Sequence, residues 1–269
     1  MYIQKKVFLG YALEMANRVL DGEFLLGEAT KFRNDLNQLK RKIGDFQWYP
    51  YDSLSNFIHL KDFFDSMPLG MLAKSGSEVL DIGAADGEVA FLLERLGYQP
   101  NILDYGPTNH NNLEGVRILS KLLDSKVKIF DFDLDSYGSV ERILPNPVSL
   151  TFLLGIHYHL KNPFLILDFL SKKTKYLFFS TRISRYTVLG YEMKNESLSY
   201  LLGPAELNND ATNYWVFSQK ALLLLFDRSG FEVLIQKTVG DLKNSVPNDM
   251  AHDERFFALL ESKNFKGAV

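Results

Sequence analysis

The eleven residues Glu78-Val79-Leu80-Asp81-Ile82-Gly83-Ala84-Ala85-Asp86-Gly87-Glu88 constrain the fold of this 269-residue chain more than any other stretch. An apolar run closes on an acid, a small-residue loop follows with glycine at both ends, and an amphipathic segment takes over. That order specifies a strand, a tight turn and a helix, the unit with which α/β proteins bring bare backbone against a nucleotide-like ligand. Gly83 and Gly87 lack a Cβ, so the chain can turn sharply and a ligand can approach the main chain. The spacing is not the Gly-x-Gly-x-x-Gly of dinucleotide enzymes. No Gly-Lys-Ser/Thr follows to hold a triphosphate either.

The same alternation continues downstream. Strands are expected at Val79–Ile82, Asn101–Leu103, Val127–Phe132, Val148–Leu154 and Tyr176–Ser180. Between them, Val89, Leu92, Leu93 and Leu96 mark one helix face, ended by Gly97, and Leu113, Val116 and Leu123 mark another. Asn162-Pro163 opens a further helix, with asparagine as cap and proline in the first position. An irregular insertion over 182–217 precedes a helix capped by Ser218 and stopped by Gly230. Phe231–Gln236 and Phe256–Glu261 then read as two closing strands with no helix between them. The expected fold is α/β: a Rossmann-like, seven-stranded, mostly parallel sheet with an antiparallel C-terminal strand.

Residues 1–70 follow a helical period instead. Ile3, Val7, Tyr11, Met15 and Val19 recur every four positions, and Phe32, Leu36, Leu39 and Ile43 at four, three and four. Leu54, Phe57, Ile58 and Phe64 mark a third helix. No linker-like stretch separates these helices from the first strand, so the expected organisation is a helical cap over 1–70 on a ligand-binding domain over 71–269. With 46% hydrophobic and 13% aromatic residues the chain can fill a large core. A net charge of −3 gives no global attraction for nucleic acid or anionic membranes. Lys40-Arg41-Lys42 and Lys172-Lys173 read as solvated helix faces. The absence of cysteine excludes disulfides, thiolate metal sites and cysteine nucleophiles, and fits a reducing compartment. Lys5-Lys6 precedes a short apolar run, but Glu14, Asn17, Arg18 and Asp21 break it. No segment has the length of a membrane span. The expectation is a soluble cytoplasmic protein.

Ligands of open α/β sheets bind beyond the carboxyl ends of the strands. The first strand ends at Asp81 and the glycine loop. The second ends at Asp104, seventeen residues beyond Gly87, where a carboxylate can accept both hydroxyls of a ribose. The third runs into Asp131-Phe132-Asp133-Leu134-Asp135, from which Asp133 is chosen to accept from an adenine amine. The fourth ends in Gly155-Ile156-His157-Tyr158-His159-Leu160, the densest polar cluster on this face. Histidine can serve as a general base and tyrosine can orient a substrate or accept a proton, while one histidine is expected simply to tie down the turn. No acid at ligand spacing supports a metal there, and none is expected. The fifth ends at Arg182, a guanidinium able to clamp a carboxylate or phosphate. Asn208–Trp215 would suit a substrate lid, with Asn213 and Trp215 as contacts, or serve as an ordinary loop with Trp215 packed inward.

Together the glycine spacing, Asp104, Asp133 and the closing strand pair resemble a class I S-adenosylmethionine (SAM)-dependent methyltransferase over roughly 70–262. Val79-Leu80-Asp81-Ile82-Gly83-Ala84-Ala85-Asp86-Gly87 is similar to the first motif of that family, with Ala85 in place of its central glycine. The resemblance implies SAM as cofactor, contacted by Asp81, Gly83, Ala84, Ala85 and Gly87, by Asp104 and Tyr105, by Asp133 and Leu134, and by Leu154 and Gly155. It implies catalysis by His157, Tyr158 and His159, with Arg182, Asn213 and Trp215 on the acceptor. Gly155–Pro163 also resembles the Gly-x-x-Tyr-His-Leu segment of the tRNA wobble-uridine carboxymethyltransferase-like group, in a neighbourhood shared with small-molecule methyltransferases. The expected acceptor is a small molecule, methylated on oxygen or nitrogen. The alternatives are a tRNA, or SAM binding without turnover.

Overall fold

A computed structural model describes residues 19–136 and 146–267. The chain divides into two compact units, residues 1–132 and 133–269. The helix expected around Ile3–Met15 and the apolar run after Lys6 lie outside the described residues.

In the first unit, helix α1 (Gly22–Arg41) starts at Asp21, whose carboxylate accepts from Phe24 N at 2.9 Å. Lys40 and Arg41 complement the dipole in its last turn. It buries Leu25, Ala29, Phe32 and Leu36, a stripe at helical spacing, each large side chain contributing about 2 kcal/mol. Ile43, expected to continue that stripe, falls beyond the helix and is exposed. Helix α2 (Phe57–Ser66) crosses so near that a Cβ on Gly22 would stand 2.0 Å from Lys61 O. After the short α3 (Leu69–Leu72), strands β1 (Glu78–Ile82), β2 (Gln99–Asp104) and β3 (Lys128–Asp131) lie parallel in the order β3-β2-β1. Helices α4 (Glu88–Arg95) and α5 (Glu114–Leu122) follow β1 and β2. Helices α1 to α3 and these three strands belong to one unit.

In the second unit, β4 (Val148–Leu154) and β5 (Thr174–Ile183) are parallel and joined through α6 (Pro163–Lys173). Helix α7 (Gln219–Arg228) leads to β8 (Phe231–Gly240), and β9 (Glu254–Ser262) inserts between β5 and β8, antiparallel to both. This is the expected closing pair. Ser218 caps α7 as expected, accepting from Ala221 N at 3.1 Å. Asn162 does not cap α6. The Asp135 carboxylate instead accepts from Lys161 N and Asn162 N at 3.0 and 2.8 Å, while Pro163 fills the first position.

The 182–217 insertion is more regular than its sequence suggests. It adds β6 (Ser199–Leu201) and β7 (Trp215–Phe217) as an antiparallel pair, beyond the seven strands anticipated. β7 joins β5 in parallel at Ile183–Phe217. Leu202, Leu207 and Val216 bury a small cluster with Tyr200 packed on it, and this holds the pair in place. The architecture is mixed α/β of the Rossmann-like kind, with parallel strands and an antiparallel C-terminal strand. Among the described residues no helix is long and apolar enough to cross a membrane.

Candidate functional site

In the first unit the loop after β1 adopts the backbone its glycines imply. Gly83, Ala85 and Gly87 have φ of 67°, 54° and 82°, all left-handed. Gly83 N donates to Leu103 O at 3.0 Å and Ala85 N to Asp104 Oδ2 at 3.2 Å, which fastens the loop to the end of β2. Asp81 is buried and accepts from Ala90 N at 3.1 Å. Burial pushes its carboxyl up to about 7; the Ala90 hydrogen bond opposes this and the nearby Asp104 adds to it. Asp104 accepts from Tyr105 N at 2.7 Å and Asn109 Nδ2 at 3.0 Å as well as Ala85 N. Burial pushes it up to about 6 against those hydrogen bonds. A carboxylate offers about four lone-pair directions, so one remains for a ligand.

Two carboxylates of this unit hold partners that the sequence did not assign. Asp86, inside the loop, accepts from Tyr49 N at 2.9 Å, Asn111 Nδ2 at 2.8 Å and Lys40 Nζ at 3.1 Å. Lys40 also reaches Glu88 Oε1 at 2.6 Å, and Ser53 N donates to Glu88 Oε2 at 3.2 Å. The second is Asp131, which accepts from Gly106 N at 2.8 Å.

Asp133 and Leu134 begin the second unit. The Asp133 carboxylate accepts from Asp135 N at 2.9 Å in a local turn, and Leu134 is buried.

The end of β4 separates the two histidines. His157 is fully buried, with Nε2 3.1 Å from Pro163 O and its ring between those of Phe179 and Phe217. A carbonyl only accepts, so Nε2 carries the proton, and burial lowers the ring's pKa to about 4. Of the catalytic candidates, His157 is therefore the one that ties down the turn.

His159 is half-buried. Its Nδ1 lies 3.2 Å from Thr212 O and 3.0 Å from Thr212 Oγ1, while Thr212 Oγ1 donates to Asp210 Oδ1 at 2.6 Å. Nδ1 therefore donates and Nε2 keeps its lone pair. Burial lowers the pKa, Asp210 and Thr212 oppose that, and Arg255 adds to it. Tyr158 stacks obliquely on His159 at 4.1 Å, and Tyr158 O accepts from Tyr214 N at 2.9 Å. The 210–214 loop is thereby stapled to the histidine turn, a juxtaposition the sequence had placed only by analogy.

Arg182 has a different task from the acceptor clamp expected of it. Its side chain is 1% exposed. Nη1 lies 3.0 Å from Met250 Sδ, and Nη2 donates to Val246 O at 3.2 Å and to Asp249 O. Nη1 also stands 2.9 Å from Asp253 Oδ1, an ion pair without hydrogen-bond alignment. It is a brace for the 246–253 turn. Asn213 likewise turns inward, its Nδ2 on Leu207 O at 3.2 Å. Trp215 stays partly exposed, its Nε1 on Lys161 O at 3.3 Å. Arg255, unremarked in the sequence, places its guanidinium 5.8 Å from the Tyr158 ring centroid. It stands opposite Arg182 in the register of β5 and β9.

A family profile described as a methyltransferase domain matches residues 59–236, well over half of the chain. The chain belongs to that family. Class I SAM-dependent methyltransferases share the architecture of this methyltransferase domain. The N-terminal domain of EvdMO1 with SAH (S-adenosylhomocysteine, the demethylated product) bound superposes with a TM-score of 0.55 at 12% identity, covering 86% of this chain and 97% of that one. A putative sarcosine dimethylglycine methyltransferase from Galdieria sulphuraria gives 0.53 at 11%, covering 79% and 86%. The PH0226 protein from Pyrococcus horikoshii OT3 gives 0.51 at 13%, covering 78% and 90%. At these identities the likeness is one of fold. No curated protein matches the chain.

Proposed function

We propose that this methyltransferase domain transfers a methyl group from SAM to an oxygen or nitrogen of a small-molecule acceptor, with His159 as general base. The observation that carries the reading is the tautomer of His159: Nδ1 is spent on Thr212, which leaves Nε2 unprotonated and able to accept a proton. When bound, SAM supplies a methyl carbon activated by its sulfonium.

The first unit's residues fit that cofactor. The left-handed loop 83–87 exposes main chain, and Asp104 retains acceptor capacity for a ribose hydroxyl, with Asn109 and Ala85 holding its carboxylate in place. Asp81 props the start of α4. In the second unit, Leu134 would pack on the adenine and Asp133 would accept from its amine. Tyr158 orients the acceptor and His159 Nε2 removes its proton, while Trp215 supplies an aromatic wall.

Calorimetry with SAH, followed by measurement of SAH release over a panel of small hydroxy- and amino-compounds, tests the reading. His159→Ala should lower turnover by about 10²–10⁴-fold while leaving SAH affinity intact. Methyl transfer to tRNA but to no small molecule would replace the acceptor class, and SAH binding with no transfer to any pool would leave a binding protein. A net charge of −3 speaks for the small molecule.

A further inference from the structure

We infer that the acceptor carries a carboxylate, held by Arg255. The inference rests on the proposed methyl transfer at the His159 turn and names the chemistry of its substrate.

Asp253 stands between two guanidiniums. Arg182 Nη1 is 2.9 Å from its Oδ1, and Arg255 Nε donates to Oδ2 at 3.0 Å. The other acids of this region are engaged elsewhere. Glu254 is held by Arg185 through both oxygens, at 2.9 and 2.6 Å, Asp210 accepts from Thr212, and Asp249 from Ala251 N. Asp253 is thus shared between the two cations, while the Asp249 carboxylate acts on Arg182 from further off. Arg182 is sealed at 1% exposure, whereas the Arg255 side chain is 32% exposed, so of the two cations only Arg255 can be reached by a ligand.

The direction in which that charge points is also set. With Nε on Asp253 and the Tyr158 side chain also hydrogen-bonded to the guanidinium, Nη1 of Arg255 still borders the space at Gly155. A Cβ built on Gly155 would have Arg255 Nη1, at 4.0 Å, as its sole neighbour within that distance. The space over the end of β4 is thus open and edged by the guanidinium. Tyr158 faces the same cation and rests on the ring of His159. Burial alone would lower the Arg255 pKa, but Tyr158 and Asp253 more than offset it and the group stays charged. A planar carboxylate matches the guanidinium edge with two parallel hydrogen bonds. Bound there, a hydroxy acid or amino acid would extend its nucleophile past Tyr158 to His159 Nε2.

The test uses the whole protein saturated with SAH and three matched probe pairs: glycine and glycinamide, salicylate and salicylamide, 4-hydroxybenzoate and 4-hydroxybenzamide. At least one acid should bind about tenfold more tightly than its amide, as expected for a charge-assisted pair. Arg255→Gln should abolish that preference at unchanged SAH affinity and near-native melting temperature, and Arg255→Lys should restore part of it. Equal or absent binding of every acid and its amide, or a preference that survives in Arg255→Gln, would overturn the inference. So would a tenfold loss of SAH affinity in Arg255→Gln, because the carboxylate would then be the cofactor's own. Failure of the wild type to bind SAH would instead sink the methyl-transfer reading beneath it.

Discussion

Ala85 occupies backbone that costs an L-residue about 1–2 kcal/mol relative to right-handed conformations. Its N–H nevertheless holds Asp104, so the loop keeps the conformation despite that cost. Ala85→Gly should raise stability by up to about 1 kcal/mol, less whatever the freer unfolded chain takes back, and a urea midpoint reads the change. Asp104 makes a second case at this scale. Its carboxyl is raised to about 6, so below that pH it is protonated and loses acceptor capacity. SAH affinity should hold above pH 7 and fall as pH drops through 6, whereas Asp104→Asn should bind weakly with little pH dependence. Titration calorimetry from pH 5 to 8 distinguishes the two profiles. His159 moves the opposite way: its lowered pKa keeps Nε2 free across neutral pH, so turnover attributable to it should decline only on the acid side.

At the scale of elements, the end of α1 is bound electrostatically to the start of α4. Lys40 serves Asp86 and Glu88 together, and all three side chains are largely buried. Lys40→Met would strand both carboxylates, at a cost of about 3 kcal/mol in line with other broken buried pairs. Burial already raises the Glu88 pKa, and removing the cation would raise it further. An acid raised above its unfolded value loses stability as pH increases, so the deficit should be larger at pH 8 than at pH 5. Urea unfolding at both values measures it. None of this was legible locally, because Lys40 and Asp86 lie 46 residues apart and Lys40 reads as one charge in a solvated run. The strand–turn–helix units were legible, since their apolar periods and glycine stops act within a few residues. The β6–β7 pair escaped because its strands are three residues long and its cluster is assembled from separate parts of the insertion.

For the molecule as a whole, what the sequence conveys depends on how far apart the cooperating groups stand. The loop at 83–87 and the turn at 157–159 announce themselves in consecutive residues. Arg182 invites the role of acceptor clamp and Arg255 attracts no role, because only packing separates the sealed brace from the reachable cation. The same distance effect governs how the sheet is made. β5 has its long-range neighbour in β9, with Tyr176 opposite Glu261, 85 residues later. At about 5–20 residues per second, synthesis leaves that edge without its partner for roughly 4–17 seconds. The waiting edge carries Tyr176-Leu177-Phe178-Phe179, the apolar kind that invites pairing with another chain. During birth, then, the strand order that completes the finished sheet makes solubility a question of translation speed and chaperone access.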